Sequence, residues 1–284
     1  MIRASLIQMR SGRDMARNTT DAAAMIREAK AAGAYFISTP EMTNILEPDR
    51  PRLRALARPE AEDASVRSFS ELAQELGVWL NIGSLALKGE GEKLINRSLL
   101  FAPDGSIAAR YDKIHLFDVD LPGGESLRES HAYDAGAVAV LAETPLAPLG
   151  LTICYDMRFP QLYRLLARAG AKLFTVPSAF TVPTGQAHWH VLLRARAIET
   201  GSFVLAAAQG GRHESGRETY GHSLIVSPWG EVLAEAGTDP QVITADLDLA
   251  AADVARARIP SLEHGRDMQL EILKPATTVA TFRP

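Results

Sequence analysis

One cysteine, one glutamate and one lysine, far apart in the chain, each stand just past a short apolar run. Cys154 closes the run Leu149-Gly150-Leu151-Thr152-Ile153, and the polar stretch Tyr155-Asp156-Met157-Arg158-Phe159-Pro160 follows at once. Glu41 follows the run Tyr35 to Thr39 and Pro40, and Lys113 lies within Arg110-Tyr111-Asp112-Lys113-Ile114-His115-Leu116-Phe117. A strand that ends on a thiol presents it at a sheet edge, where open α/β sheets keep their reactive groups. If the three strand ends share one edge, their side chains converge. A thiol needs a base or a lowered pKa before it attacks. A carboxylate can take its proton and return it to a leaving amine. An ammonium can hold the oxyanion of a tetrahedral intermediate and favour thiolate character. The backbone N–H of Tyr155 is a natural second oxyanion donor. Together these groups suit acyl transfer through a thioester. The plain alternatives are a small buried hydrophobe at Cys154, a cap at Glu41 and a solvated Lys113. Lysine is used sparingly: Lys30, Lys88, Lys93, Lys113, Lys172 and Lys274 are six of 30 basic residues. A compact point charge inside a strand-end motif is therefore a pointed choice.

The elements that must position these groups alternate along the chain. Ala4 to Gln8 reads as a strand, and Asn18 to Asp21 offers an N-cap for a helix through Lys30 that Gly33 stops. Tyr35 to Thr39 is the next strand, Glu60 to Leu76 a helix closed by Gly77, and Val78 to Leu87 a strand. Past Gly150 come a strand to Cys154, a helix from Pro160 to Ala169, a strand from Leu173 to Val176, a helix from Thr184 to Thr200 and a strand from Phe203 to Ala208. This alternation predicts an α/β fold. Ser98 to Ile107 echoes Ser223 to Val232, each a strand, a Pro-x-Gly turn and a returning strand. Two halves built alike predict two sheets packed face to face with helices outside. No linker interrupts residues 1–284, which read as a single domain. The segment 260–284 has little periodicity and reads as a tail that contacts another subunit.

Composition narrows the class. The chain has 284 residues, is 46% hydrophobic and carries a net charge of −4. A chain of this size buries a large core without disulfides, and a lone cysteine fits a reducing, cytoplasmic setting. The first residues read as a strand rather than a signal peptide, and no apolar run is long enough to span a bilayer. Interspersed charges of both signs argue against nucleic-acid and membrane partners. A small-molecule substrate is the default.

The residues also carry a resemblance. Ser38-Thr39-Pro40-Glu41-Met42, Tyr111 to Asp118 and Ile153 to Pro160 are similar to the three catalytic blocks of the nitrilase superfamily, the carbon–nitrogen hydrolases, in that family's order. The resemblance covers nearly the whole chain. It implies an α-β-β-α four-layer sandwich of mixed sheets, with Glu41 as general base, Cys154 as nucleophile and Lys113 as stabiliser of the tetrahedral intermediate. An amide is attacked, ammonia or an amine leaves, and water hydrolyses the thioester. Glu129 looks like the family's second glutamate, with Glu125 the competing assignment. The stretches Thr184 to Trp189, Leu192 to Glu199, Ala207 to His213 and Tyr220 to Ser223 resemble the deaminated glutathione amidase branch. An omega-amidase branch acting on 2-oxoglutaramate is close, and N-carbamoyl amino acid hydrolases and nitrilases share the fold. His190 and Thr200 stand where these relatives usually carry glutamate and asparagine. The resemblance also implies homodimers or larger homo-oligomers, with the helix after Cys154 and the tail beyond Pro260 as candidate interfaces.

Further residues complete the expectation. Tyr155, Arg158, Ser178 and Phe180 are the candidate oxyanion and substrate-pocket residues. Arg158 and Arg212 suit bidentate binding of a substrate carboxylate, although an internal ion pair is an equal reading of Arg158. Phe180 either walls the pocket or packs. His115 reads as a hydrogen-bonding neighbour of the site rather than a base. His188 and His190 are two apart on a helix and cannot share a face. No other spacing suits zinc, so no metal is expected. The absence of G-x-x-x-x-G-K-[ST] and G-x-G-x-x-G signatures leaves no cofactor in view, and there is no G-x-S-x-G elbow.

Overall fold

The computed structural model describes residues 1–121, 124 and 126–273. Glu125 and the tail segment 274–284 lie outside the described residues.

Alternation along short strands divides the core in two. In β1 (Ile2–Gln8), Ala4 and Leu6 face a core between two sheets, while Ile7 faces a core beneath helices. The same split separates Phe36 from Ile37 in β2 (Phe36–Ser38), Trp79 from Leu80 in β3 (Trp79–Lys88), and Leu100 from Leu99 in β4 (Leu94–Phe101). With β5 (Ile107–Asp112) these strands form the first sheet, in the order Gln241–Leu247, β1, β2, β3, β4, β5, with Tyr133–Asp134 beside β4. The second sheet runs Val232–Glu235, Leu224–Val226, Phe203–Ala206, Leu173–Thr175, Leu149–Leu151, Val140–Ala142. Each sheet has three parallel strands in its middle and antiparallel strands at its margins.

Helices α1 (Met15–Ala31) and α3 (Ala64–Leu76) cover the outer face of the first sheet through Ala22, Ile26, Ala29, Phe69 and Leu72, a stripe at helical spacing. The short α2 (Arg50–Leu56) is anchored by Leu53 in a satellite cluster. Helices α4 (Pro160–Arg168) and α5 (Val182–Thr200) cover the second sheet with Leu162, Tyr163, Leu166, Trp189 and Leu193, and α6 (Ala250–Arg258) follows the last strand. Each such large apolar side chain, fully buried, contributes about 1.5–3 kcal/mol. The result is the expected four-layer α-β-β-α sandwich.

The internal echo is structural. In both copies a turn closes with the same pair of bonds: Gly105 N–H to Ala102 O and Ala102 N–H to Ser106 O, against Gly230 N–H to Ser227 O and Ser227 N–H to Glu231 O. Each pair of strands sits in the same relative place in its sheet.

Three boundaries differ from the sequence reading by three residues or more. The cap of α1 is Asp14, which accepts from Arg17 N–H, not a residue of Asn18 to Asp21. Asn18 is instead buried and binds Gly12 and Asn44 in the loops beside the helix. The helix expected from Glu60 breaks at Asp63, whose extended backbone and carboxylate cap α3 through Ser65 and Val66 N–H. The strand before Cys154 ends at Leu151, and Cys154 opens a 3₁₀ turn to Arg158.

The two halves meet closely at Gly83. A Cβ there would lie well inside contact distance of the carbonyls of Thr39 and Pro40 and of the Pro177 ring. Those neighbours are backbone and ring atoms that cannot swing aside. Gly83→Ala is expected to destabilise the protein by about 2 kcal/mol or more. An unchanged urea midpoint would show that the junction is not tight.

Candidate active site

Strand ends from both sheets bring the three chemical groups together. Glu41 follows β2, Lys113 follows β5, and Cys154 follows Leu149–Leu151 of the second sheet. Lys113 Nζ lies 2.9 Å from Glu41 Oε1 and 2.8 Å from Glu129 Oε2. Glu41, Lys113 and Cys154 are 4%, 2% and 6% exposed, so the cluster is dry. Each carboxylate oxygen has a fixed donor. Asn96 Nδ2 donates to Glu41 Oε1 at 2.9 Å and to Glu129 Oε1 at 3.2 Å. The N–H of Ala179 donates to Glu41 Oε2 at 2.8 Å, and that of Phe117 to Glu129 Oε2 at 2.7 Å. The Cys154 sulfur lies near enough to Glu41 for each group to shift the other's protonation. Gln209, fully buried, braces the Glu41 backbone by donating to its carbonyl at 3.0 Å.

The charges set each other's protonation. Burial pushes the Glu41 carboxyl up, but the Lys113 charge and the bonds from Lys113, Cys154 and Asn96 outweigh it and hold Glu41 below its ordinary value. Burial opposes the Lys113 charge too, and Glu129 with Glu41 overcomes it, so Lys113 stays an ammonium. Burial, then the Glu41 charge, push the Cys154 thiol above its ordinary value despite Lys113. The sequence suggested an ammonium favouring thiolate; in the folded site burial wins, and the resting sulfur is a thiol facing an ionised base. That pairing can transfer a proton as a bond to sulfur forms, without adding net charge to the dry cluster.

Backbone strain marks the same place. Cys154 and Met42, the residue after Glu41, adopt φ of 50° and 57°. L-residues enter this left-handed region only where the surroundings over-determine them. For Cys154 the restraint is Asp156. Its buried carboxylate accepts from Ile153 N–H (2.8 Å), the Tyr111 hydroxyl (2.7 Å), His115 N–H (3.0 Å) and contacts His115 Nδ1 (2.7 Å). Tyr111 and His115 flank Lys113, so one acid ties the lysine segment to the cysteine turn. The Cys154 N–H donates to Pro177 O at 2.9 Å. The Tyr155 N–H, next in the turn, is one of the donors a helical N-terminus leaves without an internal partner.

The other expected residues divide. Tyr155 and Phe180 line an aromatic rim with Phe117, and the Arg158 guanidinium lies 5.3 Å from the Phe180 ring centre and 5.9 Å from that of Tyr155. Among the described residues Arg158 has no carboxylate partner; its neighbour is His188 Nδ1 at 3.2 Å. Phe180 also packs on Trp189, which bears out the packing reading of it. Ser178 does not open onto this rim. It is fully buried and its hydroxyl donates to Val176 O, because its backbone is paired into the second sheet. The neighbouring Ala179 N–H is the group that reaches Glu41. Arg212 is exposed on a two-stranded hairpin opposite Glu218. His115 stacks on Phe159 at 3.5 Å and serves Asp156. His190 meets Glu235 rather than Lys113, and the Thr200 hydroxyl turns back onto Arg196 O. A hollow of about 320 Å³ between Arg168, Arg256 and Leu262 lies outside the second sheet, not at Cys154.

Asn96, Asp156 and Ala179 N–H were missed by the sequence reading. Asp156 sits inside a quoted block, two residues past the nucleophile, and that proximity was its only signal. Asn96 and Ala179 come from segments with no chemical pattern.

Comparison with known proteins follows the geometry. The carbon-nitrogen hydrolase family profile matches residues 3–257. The chain is 40% identical over 267 residues to deaminated glutathione amidase of Bos taurus, covering 92% of this chain and 81% of that protein. It is 37% identical over 275 residues to an omega-amidase of Homo sapiens, covering 96% and 99%. The crystal structure of the C. elegans NitFhit protein superposes with a TM-score of 0.87 at 38% identity, covering 93% of this chain and 65% of that longer one.

Asp156→Asn turns amide hydrogens toward donors that have no other acceptor. It is expected to cost about 3 kcal/mol, read by chemical denaturation, and to lower turnover at subsaturating substrate. Wild-type stability in that variant would show that the tie is dispensable.

Proposed function

The chain belongs to the carbon-nitrogen hydrolase family, and we propose that it is a cysteine amidase acting on deaminated glutathione, with Cys154 as nucleophile, Glu41 as general base and acid, and Lys113 as oxyanion stabiliser. The observation that carries the reading is that Glu41 holds the Lys113 ammonium at 2.9 Å and lies near enough to the Cys154 sulfur for each to shift the other's protonation.

The chemistry follows from that arrangement. Glu41 takes the thiol proton as sulfur bonds to the amide carbon. Lys113 and the Tyr155 N–H stabilise the oxyanion. Glu41 returns the proton to the leaving nitrogen, the C–N bond breaks, and an amine departs with a thioester left on Cys154. Water, deprotonated by Glu41, attacks the thioester; the C–S bond breaks, a carboxylic acid leaves and the sulfur regains its proton. Glu129 keeps Lys113 charged and aimed throughout. Arg158, stacked on the aromatic rim without an acid of its own, binds a substrate carboxylate.

The chain acts as one unit, and its proposed partners are a small-molecule amide, water and other copies of itself. Leu165, Val191, Ile198, Val254 and Ile259 are 48–68% exposed on α4, α5, α6 and its end, outside the second sheet. Met268, Leu270, Ile272 and Leu273 add exposed apolar area beyond Pro260. Exposed apolar residues on these neighbouring elements suit a homo-oligomer. Among the described residues no helix is long and apolar enough to cross a membrane, and a mechanism that needs a free thiol suits the cytoplasm.

Three measurements test the proposal. Wild type is expected to release the amine from deaminated glutathione faster than ammonia from 2-oxoglutaramate, and Cys154→Ala to lose at least about 10³-fold; equal turnover by Cys154→Ala removes the sulfur from the mechanism, and the opposite substrate order selects the omega-amidase activity. Arg158→Lys should raise KM for carboxylated amides by about tenfold while sparing an uncharged amide. Light scattering should give a mass at least twice that of the 284-residue chain, and a monomer at micromolar concentration would dismiss the interface.

A further inference from the structure

Outside the Glu41–Lys113–Cys154 cluster, three ligand-type side chains from three separate segments aim at one point. His190 comes from α5, His222 from the loop before Leu224–Val226, and Glu235 from the end of the edge strand Val232–Glu235. His190 Nε2 and His222 Nδ1 each lie 2.9 Å from the same oxygen, Glu235 Oε1. All three ligand atoms lie within 4.8 Å of one another. None of the three side chains touches the candidate catalytic groups.

We propose that His190, His222 and Glu235 form a binding site for a zinc-type divalent transition metal, which clips α5 to the edge of the second sheet. Two imidazoles and a carboxylate are the donor set of three-ligand zinc sites, with a fourth position left for water. Their nitrogen and oxygen chemistry favours zinc and its first-row neighbours over calcium or magnesium. Tetrahedral zinc places its ligand atoms about 3.3 Å apart, so the 2.9 Å contacts need to open by only a few tenths of an ångström. The three side chains are 34%, 26% and 37% exposed, which admits an ion and its water.

The surroundings hold the histidines in place. His222 adopts φ of 54°, beside Gly221 at 72°. A glycine would take that backbone freely, so a histidine there is held at a conformational cost. The strain aims its ring at Glu235. The His222 N–H donates to Gly237 O at 2.8 Å, and its carbonyl accepts Trp189 Nε1–H at 2.7 Å. The Tyr220 ring stacks on His222 at 4.4 Å and meets His190 edge-on at 6.2 Å. Since Trp189 adjoins His190 and packs on Phe180, a metal here would stiffen the wall behind the aromatic rim without taking part in the reaction.

The test uses the intact chain carrying Cys154→Ala, so that no thiol competes for metal. After stripping with a chelator, zinc is titrated against a chromophoric competitor and the thermal midpoint is followed. One equivalent per chain and a zinc-dependent rise in the midpoint are expected. Glu235→Gln should weaken zinc at least 100-fold. His222→Gly removes a ligand while relieving the left-handed strain, so it should fold with an unchanged or higher metal-free midpoint and lose the zinc-dependent rise. Cobalt in place of zinc should give visible ligand-field bands that vanish in His222→Gly. Substoichiometric zinc, or a zinc-dependent rise that persists in His222→Gly, overturns the proposal and leaves the three side chains as a hydrogen-bonded cluster.

Discussion

A buried ammonium between one buried and one half-buried carboxylate is the constraint on which the site depends. Lys113 is a strongly hydrated charge taken almost wholly out of water, and only Glu41 and Glu129 at 2.8–2.9 Å make that tolerable. Two carboxylates facing one ammonium leave the cluster negative. The surplus is met by neutral donors, Asn96 Nδ2 and the N–H groups of Ala179 and Phe117. A thiolate would add a further negative charge, which is why burial and Glu41 together raise the thiol. The sulfur is therefore quiet at rest, and its proton moves only as a bond to carbon forms.

Placing that cluster needs both sheets. Glu41, Lys113 and Glu129 belong to the first sheet and the loops that extend it, while Cys154 and Ala179 follow strands of the second. Face-to-face packing sets the distance between them, and close junctions such as Gly83 against Thr39, Pro40 and Pro177 hold it. Asp156 then fixes orientation. Its carboxylate takes donors from the cysteine turn and from both sides of Lys113, so the left-handed Cys154 and the lysine cannot shift independently. Fold stability and site geometry are the same interaction seen from two sides.

Away from the cluster, the Arg158 guanidinium rests on the faces of Tyr155 and Phe180, which keeps its planar fork free of internal acids. Under the proposed function that fork is what a carboxylated guest would meet. Of the His190–His222–Glu235 group, His190 lies on α5 next to Trp189, which packs on Phe180, so whatever stiffens the group acts on that packing and not on the reacting atoms.

Strand-helix alternation, the echoed hairpins and the strand-end positions of Glu41, Lys113 and Cys154 are legible in the sequence. Each of these is written locally, as hydrophobic period, a Pro-x-Gly turn or a chemical residue at a strand end, whereas Glu129 is singled out only by the family resemblance. Bridging to Ala208 buries Ser178 away from the site, while the neighbouring Ala179 N–H reaches Glu41, a contact that no residue type announces. The cap at Asp14 and the break at Asp63 were decided by which polar side chain the packed core could spare. The contact of Asn96 with Glu41, the reach of Asp156 to Tyr111 and His115, and the meeting of His190, His222 and Glu235 join residues 13 to 55 positions apart in the chain. Only tertiary structure brings such residues together, because linear spacing says nothing about which loops of two packed sheets share an edge.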